Sequence, residues 1–191
     1  TVSVSFEMDD GASNNTSSAF DNHSVTISSE SMGTLVLAGH GGSTAASKID
    51  TTAAGDMWDN FDEMSIGTAT SLDAVAMSSA GDDSFFYTSP DLMDGLNVTL
   101  SYNPQGTSAA SGNAENPSET GYGFNYTGVE GLSVSFATTE IETNVTGTTG
   151  DNDVVKVSYA YGPVTATYST SETTATTDTS SGATDSYALS Y

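Results

Sequence analysis

Apolar side chains recur at every second position through most of the chain. Val2, Val4, Phe6 and Met8 alternate with Ser3, Ser5 and Glu7, and Val25 and Ile27 with Ser24, Thr26 and Ser28. Leu35 and Leu37 follow, then Leu96, Val98, Leu100 and Tyr102, then Tyr122, Phe124 and Tyr126, then Leu132, Val134 and Phe136. Val155, Val157, Tyr159 and Tyr161, then Val164, Ala166 and Tyr168, and last Tyr187, Leu189 and Tyr191 continue the series. Period two is the mark of strands that meet different environments on their two faces. The pattern predicts strands at residues 2–8, 24–30, 34–39, 97–102, 122–127, 132–138, 154–161, 164–170 and 186–191. Phe85-Phe86-Tyr87 is apolar on both parities, so its facing is undecided.

The connections alternate in length. Short ones are Ser31-Met32-Gly33, Pro90 to Gly95, Gly128 to Gly131, and Gly162-Pro163. Long ones run from Asp10 to Asn22, Gly41 to Asp83, Asn103 to Thr120, Glu140 to Asp153, and Glu172 to Asp185. If the strands run up and down, all short turns lie at one end and all long loops at the other. Outer-membrane barrels sort their connections this way. Strands of about 7–10 residues cross a bilayer when tilted. A sandwich would show the same alternation, so other features decide. The polar face is uniformly small and hydroxylic, and Tyr and Phe sit near strand ends, as in aromatic girdles.

Composition narrows the function. Two Lys, no Arg and 25 acidic residues give a formal net charge of −23 over 191 residues. Nucleic-acid binding and basic-patch membrane binding need clustered cations and are excluded. The absence of cysteine removes disulfides and thiolate metal sites. So acidic a chain invites a disordered reading, against which the regular alternation stands. Residue 1 already lies inside an alternating segment, which reads as a processed or truncated start.

The succession TVSVSFEMDDG, HSVTISSESMGTLVLAGHG and GSTAASKIDTTAAGDMWDNFDE resembles the general-diffusion porins of Gram-negative bacteria, especially the acidic alphaproteobacterial type. The segment SMGTLVLAGHG is similar to the strand that precedes the third external loop in that family. SFFYTSPDLMDGLNVTLSY and TGYGFNYTGVEGLSVSFAT are similar to its following hairpins. The resemblance implies an all-β, antiparallel transmembrane β-barrel of sixteen strands, usually a homotrimer in outer-membrane lipid. The chain would cover about ten of those strands, from the third to roughly the twelfth. Residues 1–191 would then form a single barrel domain, incomplete at both ends, with edges at 1–9 and 186–191. Residues 41–83 would be the inward-folded constriction loop. The family sets basic residues opposite that loop, and this chain has no Arg to do so.

The long loop carries Asp50, Asp56, Asp59, Asp62 and Glu63, expected to be the pore-narrowing carboxylates. Rings of acids attract cations in pores. Met57, Trp58, Phe61 and Met64 lie among them at near-helical spacing, as for a turn packed on the wall. His40 and Lys156 have the parity of the polar face and are expected on the lumen wall, whereas His23 is given no role. No cofactor is expected. Asp59-Asn60-Phe61-Asp62-Glu63 and Asp151-Asn152-Asp153 offer hard oxygens for weak surface Ca²⁺, without the EF-hand spacing. No nucleophile elbow or zinc spacing appears, so no enzyme is expected. The function expected is passive, weakly cation-selective diffusion of small hydrophilic solutes and ions through a water-filled pore in the bacterial outer membrane. The alternative is a secreted or surface-layer acidic β-rich structural protein, with or without bound calcium.

Overall fold

The computed structural model describes residues 1–8, 20–39, 42–49, 53, 83–104, 106–107, 115–116, 118–142, 150–175 and 182–191. Its strands are β1 (Val2–Met8), β2 (Phe20–Ser29), β3 (Gly33–Ala38), β4 (Ser84–Thr88), β5 (Leu96–Asn103), β6 (Gly106–Thr107), β7 (Glu115–Asn116), β8 (Ser118–Tyr126), β9 (Leu132–Glu142), β10 (Gly150–Tyr161), β11 (Val164–Ala175) and β12 (Gly182–Ser190). Among the described residues, β6 and β7 pair only with each other. The other ten form one sheet in chain order, each antiparallel to its neighbours. The sheet is open: β1 and β12 are its edges and do not pair with each other.

The strands outrun the alternating segments at the long-loop end. β9 continues to Glu142, β10 begins at Gly150, and β11 reaches Ala175. The ladder needs only backbone partners, so it continues after apolar alternation has stopped. At the opposite end the short turns are tight. Gly95 (φ +71°) and Gly131 (φ +78°) take left-handed conformations there, which a side chain disfavours.

Register decides the faces. Val4 pairs with Val25, Val25 with Leu37, Leu37 with Phe85, and Phe85 with Tyr102. Farther along, Tyr126 pairs with Val134, Val134 with Val157, Val157 with Tyr168, and Tyr168 with Tyr187. Directly opposed residues of antiparallel strands share a face. From Val2 to Phe6 and onward through β12, the alternating apolar residues therefore stand on one side, as a band across ten strands. Phe124 and Phe136 (ring centroids 5.7 Å apart) and Tyr168 and Tyr187 (5.0 Å) pack along it. Above this band, toward the long loops, the same face turns acidic: Asp151 opposes Glu140, and Asp153 opposes Glu172.

No second sheet covers the band among the described residues. Val4 is 62 % exposed and Leu189 76 %. A continuous apolar surface of this extent does not face water in a soluble monomer; lipid is the solvent that suits it.

Candidate functional site

The opposite face is polar. Across β5, β8 and β9, Asn125 Nδ2 donates to Asn97 Oδ1 (3.3 Å), and Ser135 Oγ donates to Asn125 Oδ1 (2.6 Å). Ser158 and Thr167 hydroxyls lie 2.9 Å apart between β10 and β11. Lys156 stands on this face, opposite Ser135 and Ser169. Such a surface of hydroxyls and amides is satisfied by water as readily as by its own members.

The first part of the 41–83 connection lies against that face. Thr44 to Ser47 forms a closed local unit. Thr44 N–H donates to Ser47 Oγ (2.9 Å), Ser47 N–H donates to Thr44 Oγ1 (3.1 Å), and Ser47 Oγ donates to Thr44 O (3.1 Å). These bonds seat a 3-10 turn, Ala46–Lys48. Ala45 N–H then donates to Ser101 Oγ of β5 (2.9 Å) and Ala53 N–H to Ser186 Oγ of β12 (2.9 Å). Between these anchors Ala45, Ala46 and Ile49 pack with Ala137 of β9 and Val154 of β10 into a small buried cluster. One short segment thus touches both ends of a six-strand span from the same side.

Glycine makes the seat possible. A Cβ at Gly121 would collide with Ser101 Oγ and come within 3.0 Å of Thr139 Oγ1 and 3.2 Å of Ala45 Cβ. Overpacking of this kind typically costs about 1–3 kcal/mol. Gly121→Val is expected to lower stability by that amount and to loosen the loop from Ser101. The check is urea unfolding in lipid vesicles, with protease cleavage within residues 41–83 as the second readout. An unchanged midpoint and unchanged cleavage would show that the loop does not rest on Gly121.

Phe85-Phe86-Tyr87 resolves by register: Phe85 and Tyr87 join the apolar band, and Phe86 pairs with Val36 and Ser101 on the polar face. Phe86 is sheltered there by the loop, with Lys48 Nζ 5.6 Å from its ring centroid, within cation–π range. His23 lies inside β2, with its ring where a Gly39 Cβ would stand. Glu119 on β8 is 2 % exposed on the polar face, and its Oε2 has no hydrogen-bond partner among the described residues. Nothing in the alternation singled it out, because an acid on a polar face is unexceptional in sequence.

Asp50, Asp56, Asp59, Asp62, Glu63 and His40 lie outside the described residues, as do Met57, Trp58, Phe61 and Met64. In β10, alternation sends Asp151 and Asp153 to one face and Asn152 to the other, so the three do not converge. Among the described residues, no three His, Cys, Asp or Glu side chains gather as a metal site would require.

A sheet that is apolar on one side, hydroxylic on the other, and crossed by a loop on its hydroxylic side has the anatomy of a pore wall. The family model of Gram-negative porins matches residues 1–191. The chain belongs to the Gram-negative porins. Its place is accordingly the bacterial outer membrane, its apolar band meets lipid, and its activity is diffusion through a pore. No curated protein matches the sequence. As in other porins, the hydroxylic face is the one solutes pass.

Proposed function

We propose that this porin passes small hydrophilic solutes and ions passively, with a weak preference for cations set by its long loop. The observation that carries the reading is the pair of contacts that loop makes with the polar face, Ala45 at Ser101 and Ala53 at Ser186. Residues 41–83 act as an inward-folded constriction, and Asp50, Asp56, Asp59, Asp62 and Glu63 supply its negative field. His40 and Lys156 belong to the facing wall. A net charge of −23 with no Arg leaves that field weakly opposed. Selection then rests on pore width and electrostatics, with no covalent step. The working unit is a homotrimer.

The test is the full protein in a planar bilayer. Stepwise conductance is expected, with a reversal potential in a KCl gradient on the cation side. Anion preference, or no conductance from correctly inserted protein, would overturn the reading.

A further inference from the structure

We propose that the start of the long loop and β1–β4 enclose a weak binding subsite for a small monocarboxylate, with Lys48 as its charge partner. The proposal rests on the reading of the polar face as the pore wall. A cavity of about 330 Å³ lies there, lined by Ser5, Ser24, Ser43, Ser84, Lys48 and Phe86. That is the lower end of the range for small-molecule pockets (~300–1,000 Å³).

Three features choose the ligand. Lys48 is one of two Lys in a chain without Arg, so an ammonium beside a cavity is a rare feature of this surface. Its position over Phe86 holds it at the cavity's edge. Ser5, Ser24, Ser43 and Ser84 line the same cavity, and Ser84 is 5 % exposed with an Oγ that has no partner among the described residues. A carboxylate takes up an ammonium and a hydroxyl together through short, charge-assisted hydrogen bonds. The rest of the lining includes Val36, Ala38 and the Phe86 ring, which suit a short alkyl tail. A sugar would leave the ammonium unmatched. A doubly charged phosphate would meet more repulsion from so acidic a chain and would leave the apolar floor uncovered.

The probe is butyrate, with n-butanol as the neutral control. Saturation-transfer NMR on the detergent-solubilised full protein reads binding whether or not a pore conducts. Transfer to butyrate is expected with the parent protein and absent for butanol. Lys48→Met should weaken binding roughly tenfold, as expected for losing one charge-assisted pair. Phe86→Leu and Ser84→Ala should weaken it less, Lys48→Arg should retain it, and Lys156→Met should leave it unchanged. Heat-modified gel mobility confirms folding of each variant. Equal transfer to butanol, or butyrate binding indifferent to Lys48→Met, would overturn the subsite. Bilayer conductance separates the two readings. Lys48-dependent butyrate binding without conductance would remove the pore-wall reading and keep the subsite. Normal conductance without that binding would do the reverse.

Discussion

Val157→Arg is expected to destabilise the protein by about 2–4 kcal/mol, and Ser158→Arg by under about 1 kcal/mol. The two positions are adjacent in sequence and on opposite faces. Val157 lies mid-strand in the apolar band, opposite Val134 and Tyr168. A guanidinium there meets hydrocarbon with no water or counter-charge to compensate, and near the bilayer centre it has the longest reach to either interface. Ser158 instead opposes Ser133 and Thr167 on the hydroxylic face, where an added charge stays hydrated. Ser158→Arg gives up one hydroxyl contact, with Thr167, and should lower cation preference, because lumen charges tune selectivity. Urea unfolding in lipid vesicles measures both costs. Equal destabilisation by the two variants would mean that the faces have been assigned to the wrong solvents.

Neutralising Asp56, Asp59 and Asp62 together to Asn should lower the cation-over-anion permeability ratio several-fold. A unit charge about 4 Å from a passing ion contributes about 1 kcal/mol in bulk water and more where the effective dielectric constant falls. On the proposed constriction, three such charges removed outweigh what Lys48 and Lys156 contribute at other points. Salt dependence provides the signature. The Debye length is about 30 Å at 0.01 M and about 3 Å at 1 M, so the difference between parent and variant should be large in dilute KCl and small in concentrated KCl. Reversal potentials at the two ionic strengths measure it. A ratio that does not move at low salt would show that these carboxylates do not face the ion path.

Much of the architecture follows from local chemistry. Val2 to Phe6, Leu96 to Tyr102 and Val155 to Tyr161 each alternate strictly, and each lies in a strand with its alternating apolar residues on one face. The reason is that successive side chains of an extended chain point to opposite sides, so a two-solvent environment writes itself into the sequence with period two. The short turns were equally legible, since Gly95 and Gly131 occupy backbone conformations that favour glycine.

The loop seat was less legible. Its clues were departures from alternation: Val154 beside Val155, Ala137 after Phe136, and Phe86 between Phe85 and Tyr87. At each, an inward residue is apolar or small because something packs on it, and the structure identifies Ala45, Ala46 and Ile49 as partners of Ala137 and Val154, and Lys48 as the partner of Phe86. Gly121 gave still less warning, since a glycine between Thr120 and Tyr122 reads as part of a weak strand until Ala45 is found above it.

The sequence by itself determined most of the strands, which of their alternating residues share a face, and that the long connections gather at one end, because each depends on near neighbours along the chain; the facing of Phe85-Phe86-Tyr87 waited on register with β3 and β5. Tertiary structure decided what lies on the polar face. Ala45 reaches Ser101 across 56 positions and Ala53 reaches Ser186 across 133, and no local periodicity encodes such meetings. They form only when the sheet has brought distant strands side by side, so that a loop can satisfy its backbone N–H groups on their hydroxyls.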